Sequence, residues 1–171
     1  MSELFSIQLQ NQQQSRDGVW LDLPTTTEQV QAALRQIGIS SDNPQGLFIS
    51  GYFAEEEKRF AISYNMVLAS NVDELNFLAS RLETLSTGER AELNAALQAP
   101  QSELFSIGRI TDFPENVDYY VHLPDVHGPA QLGDYYLNRS GMVNMPEEWK
   151  GGIDTAQFGR YVAQQEQGAF T

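Results

Sequence analysis

The chain of 171 residues contains no cysteine, which excludes disulfide frameworks and thiolate zinc sites. No apolar run approaches the roughly 20 residues that a membrane-spanning helix requires. The first residues, MSELFSIQLQNQQQ, also lack the basic-then-apolar layout of a secretory signal peptide. From these absences we expect a soluble, cytoplasmic protein.

Common catalytic and nucleotide-binding motifs are missing as well. The sequence holds neither the GxxxxGK and GxGxxG phosphate-binding patterns nor the GxSxG nucleophile motif. The two histidines, His122 and His127, flank Asp125, a combination that can bind a metal ion. Pro124 and Gly128 place them at a strand end and a turn, and no third histidine exists. We therefore expect no enzyme activity, no metal and no cofactor, and a small metal-dependent enzyme stays an alternative hypothesis.

Basic residues are scarce in this sequence. It has 10 Lys and Arg against 23 Asp and Glu, a formal net charge of −13. Such a negative surface repels nucleic acid and anionic membranes, so we expect neither as a partner. It favours a basic partner, or it only keeps the protein in solution, and charge alone does not separate these interpretations.

Residues 1–64 show the patterns of a small α+β domain. Phe5, Ile7 and Leu9 alternate with polar residues and predict a half-buried strand. Residues 19–23 predict a second strand, which ends at a proline, and residues 46–53 predict a third, rich in β-branched and aromatic side chains.

A helix is predicted between the second and third strands. Thr25 and Glu28 have the spacing of a capping box, and Gly38 suits the residue that follows a helix end. Residues 60–64 predict a short further strand after an acidic loop. The apolar side chains expected on one face of the helix are Val30, Ala33, Leu34 and Ile37.

Residues 65–100 contain leucines at helical spacing and no strand pattern. Asn71 with Glu74, and Ser86 with Glu89, have capping-box spacing and predict the starts of two helices. This region is therefore predicted to be a helical hairpin. The leucines expected to face inward are Leu75, Leu78, Leu82, Leu85, Leu93 and Leu97.

The hexapeptide SELFSI occurs twice, at residues 2–7 and 102–107. The residues that follow the two copies share nothing, so the repeat does not indicate a duplication. The first copy belongs to the predicted strand, whereas the second has apolar residues at helical spacing, with Ser102 as the expected N-cap. The apolar residues of this second, helical copy are Leu104, Ile107 and Ile110.

Residues 101–171 are predicted to form a second α+β domain. Strands are expected at 119–123 and 132–137, followed by a helical turn at 146–149. Asp154 is the expected N-cap of a last helix, whose inward residues would be Phe158, Tyr161 and Val162.

Aromatic side chains are frequent in the last 40 or so residues. Most are expected in the core, although some could form a contact between two copies, because interfaces favour aromatic residues. The residues concerned are Tyr135, Tyr136, Trp149, Phe158 and Tyr161.

The acids are spread over the three predicted domains, 1–64, 65–100 and 101–171, with net charges of −4, −3 and −6. Between Arg109 and Arg139 there are five acids and no basic residue to neutralise them locally. Carboxylates held on rigid elements can imitate the phosphates of duplex DNA, which carries one charge per roughly 1.7 Å of axis. A solvated helix face is the alternative. The acids of the predicted phosphate-mimicking surface are Asp73, Glu74, Glu83, Glu89, Glu92, Asp112, Glu115, Asp118, Asp125, Asp134, Glu147 and Glu148.

Short strings along the chain resemble the ArdA family of antirestriction proteins. WLDLP at 20–24 precedes a capped helix, and DELN at 73–76 opens the central hairpin. The C-terminal strings, in order, are Leu132-Gly133, Tyr135-Tyr136, Pro146-Glu147-Glu148, Ile153-Asp154, Phe158-Gly159-Arg160, and Gly168 with Phe170-Thr171.

The resemblance implies three small domains in an elongated, curved rod, and a homodimer joined through the C-terminal domains. Members of this family mimic bent B-form DNA and occupy the DNA-binding groove of type I restriction–modification enzymes, so that the DNA of a mobile element escapes cleavage. We therefore expect an antirestriction protein. The alternative is an accessory protein of a mobile element that binds another basic protein without mimicking DNA.

Overall fold

The computed structural model describes residues 3–14, 17–100, 102–117 and 120–170. The fold is mixed α+β and separates into two compact units. Unit 1 combines Met1–Leu97 with Glu103–Tyr120, and unit 2 combines Gln98–Ser102 with Val121–Thr171. The three-domain division at residues 64 and 100, and the curved rod, stay predictions.

Unit 1 contains a three-stranded antiparallel sheet in the order β2–β1–β3. The strands are β1 (Phe5–Asn11), β2 (Val19–Leu23) and β3 (Leu47–Phe53), which confirms the three strands predicted in this region. Side chains of β1 alternate between buried and half-buried, as expected for a strand whose one face packs on the core. This alternation leaves the opposite face of the sheet towards solvent.

Helix α1 (Thr27–Gln36) follows β2, as predicted. Its N-cap is Thr26, whose hydroxyl accepts the backbone N–H of Gln29 at 3.4 Å. The predicted cap, Thr25, is therefore wrong by one residue, and its hydroxyl instead donates to the Gln29 side chain. Gly38 follows the helix with a φ of 71°, the left-handed conformation that glycine adopts without a steric penalty. The buried residues of this segment are Ala33, Leu34 and Ile37.

The short strand predicted at residues 60–64 is wrong. Phe60 and Ile62 are both buried, which explains the alternating pattern. However, the backbone N–H of Ala61 donates to the side-chain oxygen of Asn94 at 2.8 Å, and not to a neighbouring strand. The alternation therefore reflects burial of an irregular segment.

The helical region after β3 confirms the two predicted capping boxes. The Asn71 side chain accepts the backbone N–H of Glu74 at 2.9 Å. The Glu89 carboxylate accepts the backbone N–H of Ser86 at 2.8 Å. The helices are α2 (Tyr64–Leu68), α3 (Val72–Glu83) and α4 (Thr87–Gln98). All predicted inward leucines are buried except Leu97, which is half-buried.

The second copy of SELFSI becomes helical only at its last residue. Helix α5 (Ile107–Thr111) has Ser106 as its N-cap, whose hydroxyl accepts the backbone N–H of Arg109 at 3.3 Å. The predicted cap at Ser102 is wrong. The two copies do adopt different structures, as predicted, and the apolar residues Leu104, Ile107 and Ile110 are buried.

The buried residues of unit 1 form one hydrophobic core. It joins the inner face of the sheet and α1 with the leucines of α3 and α4, and Ile110 and Phe113 complete it. Asn76 on α3 also binds the segment between β2 and α1. Its side-chain oxygen accepts the backbone N–H of Thr25 at 2.7 Å, and its amide donates to the Thr25 carbonyl at 3.0 Å. The sheet and the central helices are thus one packed structure.

Within the described residues of unit 2, every regular element is a helix and irregular segments join the helices, so the α+β fold predicted for residues 101–171 is wrong for the part that the structure describes. The strands predicted at 119–123 and 132–137 are absent from that part, and residue 119 lies outside it. A π-helical segment, Tyr135–Arg139, extends the first helix of the unit. The helices are α6 (Pro129–Asp134), α7 (Glu147–Lys150) and α8 (Thr155–Gln165). Helix α7 confirms the helical turn predicted at residues 146–149.

Two glycines explain why α6 and α8 pack against each other. A Cβ atom on Gly133 would lie 1.9 Å from the carbonyl oxygen of Thr155. A Cβ atom on Gly159 would lie 1.7 Å from the carbonyl oxygen of Pro129. The two backbones are therefore in direct contact, a close approach that requires glycine. This contact between distant residues favours a helix at 132–137.

Asp154 caps α8 as predicted, with its carboxylate accepting two backbone N–H groups of the first turn at 3.0 Å. Val162 is buried and Phe158 half-buried, but Tyr161 is 60% exposed, so its predicted inward position is wrong. Trp149 is 67% exposed and also lies outside the core. No helix in the described part of the chain is both long and apolar enough to cross a bilayer.

Candidate functional site

The acidic charge lies mainly in unit 1. The sequence of unit 1 has 17 acidic and 7 basic residues, a net charge of −10, whereas unit 2 has 6 and 3, a net charge of −3. If the net charge were distributed in proportion to length, unit 2 would carry a larger part of it than it does. A surface that attracts a basic partner is therefore concentrated in unit 1.

Helix α3 carries acids at both ends. Asp73 and Glu74 lie in its first turn, where negative charge interacts favourably with the helix dipole. The Glu74 carboxylate accepts the Ser70 hydroxyl at 2.8 Å, which fixes its position. Asp73 is exposed and forms no ion pair with any described basic residue. Glu83, the last residue of the helix, is half-buried.

Helix α4 carries Glu89 and Glu92 about one turn apart, and both are half-buried. The backbone N–H and the hydroxyl of Ser86 stabilise the ionised Glu89 carboxyl, and they lower its pKa below the usual 4.5. The capping contact with Ser86 also holds the Glu89 carboxylate in one position.

The acids between Arg109 and Arg139 divide between the two units. Asp112 and Glu115 belong to unit 1, whereas Asp125 belongs to unit 2. Asp118 lies outside the described residues. Asp112 and Asp125 are exposed and, within the described part, have no ion-pair partner.

Two acids of this interval do have arginine partners, which corrects the expectation that nothing neutralises them. Glu115 pairs with Arg81, 34 residues earlier on α3. Asp134 lies 3.9 Å from Arg139 and accepts the Asn138 amide at 2.8 Å. All of these side chains remain at least partly exposed, so the pairs reduce the negative potential locally without removing the charges from solvent.

The two acids of α7 differ in their surroundings. Glu147 pairs with Lys150 at 2.8 Å, and Glu148 is exposed without an ion-pair partner among the described residues. Five ion pairs occur within 4.0 Å in the described part of the chain, and their carboxylates are all more than half exposed. Exposed pairs of this kind contribute about 0–1 kcal/mol each, so the acidic surface persists.

The outer face of the sheet carries residues that sequence analysis missed. Trp20, Phe48 and Phe53 are large and at least 40% exposed, and they lie on the side of the sheet opposite the core. We name this surface the outer sheet face, consisting of Ser6, Gln8, Gln10, Trp20, Asp22, Phe48, Gly51 and Phe53. The alternation in β2, where the exposed Trp20 and Asp22 alternate with the inward Val19, Leu21 and Leu23, is the signal that would have found it.

The histidines are not brought together into a metal site. No group of three or more His, Asp or Glu residues in the described part of the chain could hold a metal ion. His122 is half-buried and His127 is exposed. The backbone N–H of His127 donates to the Gln131 side chain at 2.7 Å, which is an ordinary turn contact.

Comparison with known proteins gives one family. A family model described as antirestriction protein (ArdA) matches residues 13–171, nearly the whole chain. No curated protein matches the sequence. The matched range includes both units and agrees with the resemblance seen in the short sequence strings.

Proposed function

Because this chain belongs to the ArdA family of antirestriction proteins, we propose that it inhibits type I restriction–modification enzymes by occupying their DNA-binding groove. Proteins bind the DNA backbone through Lys and Arg side chains and through backbone N–H groups. Carboxylates presented at a suitable spacing would attract the same groups. Inhibition is then competitive with DNA, and neither a catalytic residue nor a cofactor takes part.

The observation that carries this proposal is the net charge of −10 on unit 1, to which five acids on helices α3 and α4 contribute. Glu74 and Glu89 are fixed by hydrogen bonds to neighbouring residues. Asp73 and Asp112 are exposed and face no described basic partner. Because fixed groups lose little conformational freedom on binding, such carboxylates favour tight association with a basic groove.

The binding free energy would be distributed over many contacts. Exposed charge pairs contribute about 0–1 kcal/mol each, so no single carboxylate should dominate. Release of ions held at both surfaces would supply much of the remainder, and the affinity should therefore fall steeply with salt concentration.

Charge reversal tests this proposal. We expect the triple variant Asp112→Lys/Glu115→Lys/Asp118→Lys to inhibit a purified type I enzyme far less than any of the single variants does. Inhibition is measured as DNA cleavage, and competition as displacement of labelled DNA from the methyltransferase core. A single change that causes the whole loss would contradict the distributed surface.

The matched control is the triple reversal of Glu55, Glu56 and Glu57, which lie in an exposed turn outside the proposed surface. It alters the net charge by the same amount and should reduce inhibition less. Equal losses from both triples would mean that only total charge matters. If the native protein leaves DNA binding of the enzyme untouched, the alternative hypothesis of another basic partner is correct.

We also propose that the protein forms a homodimer through unit 2. The supporting observation is that unit 2 exposes Met142, Trp149 and Tyr161 by more than half of their surface, an arrangement that favours protein association. Sedimentation equilibrium should give a dimer for the native chain and a monomer for the variant Trp149→Glu/Tyr161→Glu. A variant that stays dimeric would place the contact elsewhere.

A further inference from the structure

The acidic surface does not account for the outer sheet face. The three strands contain one acid, Asp22, and no Lys or Arg. They nevertheless present three aromatic side chains to solvent, Trp20, Phe48 and Phe53. Three large aromatic side chains exposed on one face of a small sheet are a feature typical of an interaction site.

Trp20 lies on the edge strand β2, in the middle row of this face. It is opposite Gln8 of β1, which is opposite Gly51 of β3, so the three residues form one row across the sheet. The indole atom Cη2 would lie 3.0 Å from a Cβ atom built on Gly51. The indole therefore lies across β1 and reaches β3, and the glycine leaves room for it. Half of the Trp20 surface is still exposed.

Polar acceptors lie in the row of Trp20 and in the next row of the sheet. Asp22 and Ser6 are opposite each other in the next row, and the Ser6 hydroxyl donates to the Asp22 carboxylate at 2.5 Å. This hydrogen bond holds the carboxylate in one position, two residues along β2 from Trp20 on the same face. In the row of Trp20 itself, the Gln8 side-chain oxygen accepts the Ser50 hydroxyl at 3.1 Å. The face thus combines a flat aromatic surface with a fixed negative charge.

We propose that the outer sheet face binds arginine side chains of a basic protein partner, with one guanidinium group stacked on Trp20 and hydrogen-bonded to Asp22. The proposal rests on the proposed function, since the partner is the restriction enzyme. A guanidinium ion is planar and weakly hydrated, and it stacks on aromatic rings while it donates to a carboxylate. The net charge of −10 on unit 1 attracts such a partner and repels nucleic acid.

The same unit shows this arrangement within the chain. The guanidinium carbon of Arg109 lies 4.6 Å from the centre of the exposed Phe105 ring. No described Lys or Arg lies over the ring of Trp20. Trp20 is therefore open to a cation from outside, whereas Phe105 is already occupied, which makes Phe105 a suitable control.

Nuclear magnetic resonance can test the site without any enzyme. The two tryptophans give two indole N–H signals in ¹⁵N-labelled protein, and the variant Trp149→Phe assigns them. We expect hexa-arginine to shift the Trp20 signal at lower concentration than hexa-lysine does, and to leave the Trp149 signal in place. An unshifted Trp20 signal, or equal shifts with both peptides, would overturn the proposal. So would a Trp20 shift with single-stranded oligothymidylate but not with hexa-arginine.

The enzyme assay provides the second test. Trp20→Ala should raise the inhibitory concentration about tenfold, as expected for a hot-spot aromatic residue. This loss should be the same at each salt concentration, because the ring carries no charge. Trp20→Phe should restore most of the inhibition, and Phe105→Ala should inhibit like the native protein.

The outcomes separate this inference from the proposed function. If Trp20→Ala inhibits as well as the native protein while the Asp112 triple variant does not, the arginine site is wrong and DNA mimicry stands. If the native protein does not compete with DNA, the proposed function is wrong, and the peptide titration alone then decides whether the face binds arginine.

Discussion

Replacement of Gly159 by alanine should unfold unit 2 at lower denaturant concentration. The added Cβ atom would lie 1.7 Å from the carbonyl oxygen of Pro129, where ordinary contacts begin at 3.4 Å. Helices α6 and α8 would therefore have to separate by about 1.7 Å, the difference between these two distances. The obstructing atoms belong to the backbone, so no side-chain rotation relieves the overlap.

The expected cost follows from two opposing effects. Overpacking of a core costs about 1–3 kcal/mol when side chains can adjust, and backbone overlap should reach or exceed the upper end of this range. Alanine in a helix interior regains about 1 kcal/mol relative to glycine. The net loss of about 2 kcal/mol or more is a large part of the roughly 5–15 kcal/mol that stabilises a typical domain.

Urea unfolding followed by circular dichroism measures this loss, and hydrogen exchange at α6 and α8 assigns it to unit 2. Gly108→Ala is the matched control, because its Cβ would have no neighbour within 4 Å on helix α5. The control should be as stable as the native protein or slightly more stable. If Gly159→Ala unfolds within about 0.5 kcal/mol of the native protein, the inferred backbone contact is wrong.

Two further changes test unit 1. Asn76→Ala leaves the backbone N–H and carbonyl of Thr25 without their partner and should cost about 1–3 kcal/mol in urea unfolding. A loss no larger than that of Ser80→Ala, an exposed position on the same helix, would contradict this role. Burial raises the pKa of the Tyr52 hydroxyl, and the charge of Arg59 partly offsets this. The folded chain thus keeps a proton that the unfolded chain loses above about pH 10, so stability should fall as the pH rises from there. The midpoint temperature of thermal unfolding, measured between pH 9 and 11, should fall less with pH for Tyr52→Phe than for the native protein. An equal fall for both proteins would contradict this effect of Tyr52.

The elements that sequence patterns predicted correctly have local signals. The strand alternation of β1, the proline after β2 and the capping boxes of α3 and α4 each depend on residues within a few positions of one another. Short-range sterics and hydrogen bonds decide these structures, and a single sequence contains the necessary information.

The errors arise where distant residues decide the structure. Residues 132–137 are predicted as a strand, but they lie in a helical segment whose Gly133 is in close backbone contact with α8. Residues 60–64 alternate like a strand, although Asn94 takes the hydrogen bond that a neighbouring strand would provide. No pattern within either segment indicates these partners.

The acidic surface was predictable only as a set of residues. Composition gave the charge, but the pairing of Glu115 with Arg81 joins positions 34 residues apart. The concentration of charge in unit 1 depends on the return of residues 103–120 to the first unit, which the sequence does not indicate. Alternation in β2 indicates that Trp20 lies on the face opposite the buried leucines, but the reach of its indole to β3 depends on Gly51, 31 residues later.

The placement of Ile110 and Phe113 in the core of unit 1 has a consequence for synthesis of the protein. When the first 100 residues have left the ribosome, the sheet and helices α3 and α4 are complete. Ile110 and Phe113, which belong to the same core, have not yet emerged. We expect the face of α3 that α5 covers to stay open to water until residues 107–113 have emerged. We therefore expect a product truncated near residue 100 to lack part of the core of unit 1 and to be less stable than the complete unit.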